Sequence, residues 1–299
     1  MDTECDPILI IGVPRSGTTI VFEQFASHSD LAWLSNYSGS YPNWPSVNLL
    51  RRFFDNERLS LRGKKDQFGD VPWFNEYIPR PHESYPFWNT HGRADFGRSY
   101  LIGETATPNQ RVRLRRAMEA TRRFQGRARI TAKLTGPGRI SYLNSVWPNL
   151  SVINVVRDGL DVVRSLLGVN FWVRHGGLEK LWWDGSGLDS QYQAWQRESG
   201  DPAVLAAMQW RAIIETTRRE AAACLGDRYM EVRYEDFLLN PRQCINSIYQ
   251  RVGLSEGSAN IPEFEARNRT YSDSWSDEYR YSLRQQMQPQ YSELGYDGE

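Results

Sequence analysis

Ile8-Leu9-Ile10-Ile11-Gly12-Val13-Pro14-Arg15-Ser16-Gly17-Thr18-Thr19-Ile20-Val21-Phe22 is the stretch that decides the fold. Ile8 to Val13 is apolar without a break. Successive side chains of a strand point to opposite faces, so an unbroken apolar run marks a strand covered on both sides, as in a parallel sheet. Gly12, Pro14 and Gly17 then punctuate a short loop. From Thr18 to Ser27 the pattern turns helical, with Ile20, Val21, Phe25 and Ala26 on one side. A strand, a glycine-containing loop and a helix in that order present backbone N–H groups and a helix N-terminus to an anion.

The same alternation recurs downstream. Arg129 to Leu134, Ser151 to Val156 and Tyr229 to Arg233 read as strands. Residues 109 to 124, Ile140 to Trp147, Asp161 to Leu167, 203 to 224 and Asn246 to Val252 read as helices. The predicted fold class is therefore α/β, a P-loop-like three-layer fold with a central parallel sheet flanked by helices. Residues 35 to 100 are rich in Trp, Tyr, Pro, Asn and Gly and have little periodicity, which predicts long loops and short helices facing a substrate. With no internal repeat or linker, residues 1 to 299 are expected to form a single domain.

The loop has the spacing of a nucleotide P-loop, but Thr18 stands where that motif needs its lysine, and the positive charge sits inside the loop at Arg15. A kinase uses that lysine on its phosphates. A second motif runs Ile153-Asn154-Val155-Val156-Arg157-Asp158-Gly159-Leu160-Asp161-Val162-Val163-Arg164-Ser165. Its strand delivers Arg157 to the carboxyl edge of the sheet, where open α/β sheets bind ligands. Ser165 follows a little over two helical turns later. An arginine and a hydroxyl converging there suit a phosphate group, although an Arg-Asp pair after a strand is often only a helix cap.

Taken together, these motifs resemble the family of sulfotransferases that use 3′-phosphoadenosine-5′-phosphosulfate (PAPS). Pro14 to Thr19 is similar to the family's 5′-phosphosulfate loop, and Arg157 with Ser165 to its 3′-phosphate motif, with Gly159 where that motif has proline. Arg233-Tyr234-Glu235-Asp236-Phe237 and Glu293-Leu294-Gly295-Tyr296 are similar to further family segments. The resemblance is closer to carbohydrate-type, Golgi-type and bacterial members than to cytosolic members with a histidine base. It implies transfer of a sulfuryl group from PAPS, consumed as a co-substrate without a metal, to an acceptor hydroxyl. The alternatives are a P-loop kinase and a non-catalytic nucleotide-binding module of the same fold.

The resemblance also implies roles for single residues. Arg15, Ser16, Gly17, Thr18, Thr19, Arg157 and Ser165 would hold the donor, and Tyr234 would contact its adenine unless it is a core residue. Arg15 and Lys133 would meet charge on the leaving group; Lys133 stands where cytosolic members have the lysine of their Lys-Thr-His segment. Their histidine would fall at Thr135, which is no base at neutral pH. Gly103-Glu104-Thr105-Ala106-Thr107-Pro108 is similar to the glutamate segment that follows a short strand in carbohydrate-type members, so Glu104 is the expected general base. His28, His82, His91 and His175 are rivals, His91 foremost. Arg267 and Arg269 are further candidates for the 3′-phosphate.

Composition bounds the rest. Lys plus Arg balances Asp plus Glu at 36 each, which disfavours a dedicated nucleic-acid binder. Residues 111 to 129 carry eight arginines, either a surface-binding helix or a solvated amphipathic one with Leu114, Met118 and Thr121 inward. Phe171, Trp172, Trp182, Trp183 and residues 192 to 195 form an aromatic stretch that could stack on a sugar or lipid, or pack as a lid. Cys5, Cys224 and Cys244 show no metal-ligand spacing. An acidic N-terminus and the lack of a long apolar run predict a cytoplasmic protein with no membrane span. The acceptor is expected to be a small molecule, carbohydrate or lipid; neither its identity nor the oligomeric state is legible.

Overall fold

The structure, a computed structural model, describes residues 6–54, 77–256 and 275–297. Its centre is a sheet of five parallel strands: β1 (Ile8–Gly12), β2 (Leu31–Trp33), β3 (Arg129–Thr135), β4 (Ser151–Val156) and β5 (Tyr229–Arg233), in the order β2-β3-β1-β4-β5. Helices flank it in the three-layer arrangement expected from the sequence. The unbroken apolar run of β1 is explained by what covers it. Ile8 and Ile10 pack with Val21, Phe22 and Phe25 of the Thr18–Phe25 helix and with Ile245, Ile248 and Tyr249 of the Pro241–Arg251 helix. Leu9 and Ile11 pack on the other face with Leu114 and Met118 of the Pro108–Gln125 helix and with Ile140 and Leu143. A third cluster joins the Gly159–Leu167, Pro202–Cys224 and Asp277–Met287 helices around Trp172, Trp183 and Trp210.

Strand order positions the site. The chain leaves β1 for β2 at one edge, returns to β3 beside β1, and only then crosses to β4 on β1's other side. The loop after β1 therefore opens at the point where the winding reverses, between the carboxyl ends of β3 and β4, where such sheets leave a crevice. The register brings Gly12 opposite both Thr135 and Val155. Lys133 is opposite Ile10, so by the two-residue period it shares the face carrying the Thr18–Phe25 helix, whereas Ala132 and Leu134 enter the other core.

Several elements lie beyond the sequence-based expectation. β2, the Asp189–Glu198 and Tyr234–Leu239 helices and the Asp277–Met287 helix are present, and the helix expected over Asn246 to Val252 begins earlier, at Pro241. Before Glu104 the Tyr100 amide donates to Asp184 O, and Ile102 is exposed. The arginine-rich helix is amphipathic: Leu114, Met118 and Thr121 are buried, while Arg122 and Arg123 pair with Glu119.

Candidate active site

The loop after β1 depends on two glycines for different reasons. A Cβ on Gly12 would lie 2.4 Å from the carbonyl oxygen of Val155 on the next strand. Gly17 has φ +84°, in the left-handed region, and a Cβ there would lie 2.2 Å from the Tyr234 ring. Gly17 is also the N-cap of the Thr18–Phe25 helix and supplies no side-chain cap; Ile20 N donates to Gly17 O at 3.0 Å, which leaves the Thr18 and Thr19 amides as the uncapped donors of the first turn among the described residues. Ser16 is fully buried, and among the described residues its Oγ has no hydrogen-bond partner. An uncapped helix start beside an orphaned hydroxyl is a donor set that an anionic oxygen would complete, and the residues fit a phosphosulfate.

Arg15 itself has φ 77°. Its Nε donates to Ser165 Oγ at 2.8 Å, which ties the two motifs together across the crevice. Arg157 Nη1 donates to Arg15 O at 3.3 Å, its Nη2 pairs with Asp161 at 2.8 Å, and its guanidinium lies 5.2 Å from the Tyr234 ring centre. The residues expected at the donor pocket (Arg15 to Thr19, Arg157, Ser165 and Tyr234) are thus gathered in one place. Tyr234 packs against Gly17 of the loop on one side and against Arg157 on the other.

A buttress stands behind this wall. Glu235 accepts from the Asp158 amide at 3.1 Å and from the hydroxyl of fully buried Tyr296 at 3.0 Å. Asp158 caps the helix after β4 by accepting from Leu160 N, and Tyr291 donates to both its oxygens. Burial, reinforced by Asp161 and Glu235, pushes the Asp158 carboxyl up to about 6. The C-terminal segment is therefore bonded to the Asp158 and Glu235 carboxylates behind Arg157 and Tyr234, although its sequence is remote.

Lys133 is buried and reaches across from β3. Its Nζ donates to Thr19 Oγ1 at 2.9 Å and pairs with Glu83 Oε1 at 3.0 Å. The other Glu83 oxygen accepts from Thr135 Oγ1 at 3.1 Å. Glu83 was not singled out from the sequence. It sits in Arg80-Pro81-His82-Glu83-Ser84, inside the aperiodic region. That segment is moored to the sheet: His82 N donates to Leu34 O, Ser84 Oγ to Ser35 O, and the Tyr85 hydroxyl both donates to Thr135 O and accepts from Thr135 N. Burial first, then the Glu83 carboxylate, pushes Tyr85 up to about 12, which keeps its hydroxyl proton in place as a donor. The only signal in the sequence was a lone carboxylate among prolines and aromatics.

Glu104 is placed elsewhere. Gly103 N donates to Glu220, Ala106 N to Ser145 Oγ, and Thr107 closes a capping box on the Pro108–Gln125 helix. The segment's bonds serve the entry to that helix and leave Glu104 about half exposed (47 %), paired with Arg93. It is not among the residues lining the cavity that Lys133 faces. The similarity at Gly103 to Pro108 thus falls on a segment whose backbone starts a helix, apart from the cavity that Lys133 faces.

A cavity of about 530 Å³ opens beside Arg15, Thr18, Thr19, Lys133 and Glu83, with Phe171, Trp182 and Trp183 as its far wall. Trp182 stacks on Trp172 at 4.9 Å, and the Trp183 ring closes on Gly136, which has φ +90°. His82 and His175 line this cavity too, whereas His91 bonds Pro42 O in a separate pocket and His28 is buried against Tyr249. Arg267 and Arg269 lie outside the described residues. Among the described residues, no cluster of His, Cys, Asp or Glu could hold a metal ion, and no helix is long and apolar enough to cross a membrane.

Residues 7–257 match the model of the Sulfotransferase family. This chain belongs to the sulfotransferase family. The enzyme is 25% identical to omega-hydroxy-beta-dihydromenaquinone-9 sulfotransferase Stf3 of Mycobacterium bovis and, equally, of Mycobacterium tuberculosis, over 93% of this chain and 71% of each relative. The fold of this sulfotransferase is also that of sulfotransferase STF9 from Mycobacterium avium, with a TM-score of 0.57 at 19% identity, over 96% of this chain and 75% of that one.

Proposed function

We propose that this sulfotransferase moves a sulfuryl group from PAPS to a hydroxyl on an acceptor with an apolar or ring-shaped body, with Glu83 as the general base. The observation that carries this is the chain Thr19–Lys133–Glu83 at the mouth of the anion loop. A cation and a carboxylate side by side suit a reaction in which one oxygen gains charge while another loses a proton.

In this scheme Arg15, Ser16, Gly17, Thr18 and Thr19 hold the 5′-phosphosulfate, and Arg157 and Ser165 the 3′-phosphate. The acceptor oxygen forms a bond to sulfur as the bond from sulfur to the 5′-phosphate oxygen breaks. The acceptor proton passes to Glu83, and the charge released on the 5′-phosphate falls to Lys133 and Arg15. Holding donor and acceptor in line is itself a large part of the rate. The aromatic wall supports an apolar acceptor body, and the names of the mycobacterial relatives, which act on a hydroxylated dihydromenaquinone, point the same way.

Calorimetric titration with adenosine 3′,5′-bisphosphate in EDTA tests the donor assignment. Binding to wild type that is lost in Arg157→Ala is the expected outcome. No binding, with ATP binding that needs Mg²⁺, would replace the proposal with a kinase, whose lysine would then have to be Lys133 in place of the absent one at Thr18.

A further inference from the structure

We infer that the acceptor carries an oxyanion close to its hydroxyl, held by Arg80 and Arg98; this rests on the sulfotransferase reading and narrows its substrate class. The other cations at the reacting centre are engaged: Arg15 with Ser165, Lys133 with Glu83 and Thr19, Arg157 with Asp161. Arg80 and Arg98 line the same cavity and differ from them. Arg80 is half-buried, and its Nε is shielded from solvent with no hydrogen-bond partner among the described residues. Its anchors are backbone ones, an amide that donates to Asn36 Oδ1 and a carbonyl that accepts from Asn36 N. Arg98 is exposed; its guanidinium lies 5.7 Å from the Trp182 ring centre, and among the described residues it meets no carboxylate. A guanidinium N–H removed from water without an acceptor is a cost that folding leaves standing, and a ligand oxyanion would remove it.

Both arginines belong to the acceptor side of the cavity. Arg80 shares the moored segment that carries Glu83, three residues on. Arg98 is fastened to the aromatic wall, since its carbonyl accepts from Asp184 N and the Tyr100 amide returns to Asp184 O. A ring or apolar body against Phe171, Trp182 and Trp183 would thus place an attached carboxylate, or a sulfate or phosphate monoester, within the span of two planar donors suited to oxyanions. The hydroxyl would face Glu83.

The test uses two probes of one shape, 6-(hydroxymethyl)-2-naphthoate and its neutral amide, titrated into enzyme saturated with adenosine 3′,5′-bisphosphate and followed by tryptophan fluorescence. The carboxylate should bind about ten-fold more tightly, the value of a charge-assisted hydrogen bond. In the double variant Arg80→Gln/Arg98→Gln that preference should vanish while the nucleotide's own Kd stays unchanged, which shows the fold intact. Equal affinity of the two probes for wild type, absence of measurable binding by both included, overturns the inference. So does a preference that survives the double variant, or a KM for PAPS that rises with the preference unaltered, which would give the arginines to the donor. Failure of the nucleotide to bind wild type is a different result and removes the sulfotransferase reading itself. A sulfate or phosphate monoester of the same ring, run as a third arm, separates those oxyanions from carboxylate.

Discussion

Glu83→Gln separates chemistry from binding, and the geometry around it sets the size of each effect. The amide keeps the shape of the side chain. Its oxygen can accept from Lys133, and its NH2 can donate to Thr135 Oγ1, whose proton turns away. Lys133 also keeps Thr19, but with its side chain 8% exposed it loses the carboxylate that neutralises it. Leaving a buried charge without its counterion costs about 3–5 kcal/mol. With two acceptors retained, about 2 kcal/mol is expected, read as a lower denaturant midpoint. The anion loop gains one net positive charge, so adenosine 3′,5′-bisphosphate should bind as well as before or more tightly. Loss of the base should lower kcat by about 10²–10⁴-fold, or about 3–5 kcal/mol in the barrier. Release of adenosine 3′,5′-bisphosphate from PAPS in the presence of an alcohol acceptor measures it, with Glu104→Gln as the matched control that leaves the rate unchanged. A Glu83→Gln enzyme within a factor of about ten of wild type would refute the base assignment, because even a modest general base contributes more than that. Nucleotide binding lost in parallel with the rate would make Glu83 a structural partner of Lys133 instead.

Other outcomes follow from the same contacts. Gly17→Ala forces a methyl group into the Tyr234 ring at a left-handed φ, so stability should fall by about 1–3 kcal/mol from the backbone alone and nucleotide affinity with it; adding Tyr234→Ala should restore only the steric share, as denaturant midpoints would show. Asp158 titrates at about 6 in the fold against its usual 3.8, so the folded state binds its proton more tightly than the unfolded state does. That contribution is whole below the unfolded value and is lost as pH rises through the folded one, amounting to about 3 kcal/mol. Asp158→Asn, still able to cap Leu160 N and accept from Tyr291, should gain over wild type progressively between about pH 4 and about pH 7; a constant difference across that range would contradict the assignment. Truncation before Tyr291 removes the Tyr291 and Tyr296 hydroxyls from Asp158 and Glu235, and should weaken adenosine 3′,5′-bisphosphate binding although no residue of the truncated segment lies in the anion loop.

Four of the five strands, the glycine-containing loop after β1 and the placing of Arg157 and Ser165 beside that loop were legible in the sequence. These are local: a strand buried on both faces must be apolar throughout, and a loop that approaches a phosphate must carry glycine, so the residues record the requirement within a few positions. Arg15 meets Ser165 because strand order places β4 beside β1, a neighbourhood that the folded sheet supplies. The choice of a residue to propose as the base is a different matter. Glu104 stood in a segment of familiar spelling, yet Glu220, Ser145 and the cap at Thr107 turn that backbone toward a helix and leave the carboxylate to Arg93. Glu83 had no spelling to announce it and reaches Lys133 only because Tyr85 and Ser84 moor its segment to the ends of β3 and β2. A proton acceptor is defined by distance to a reacting oxygen, and distance between residues fifty positions apart is set by packing. The contact of Glu83 with Lys133, on which the proposed base rests, came from tertiary structure alone.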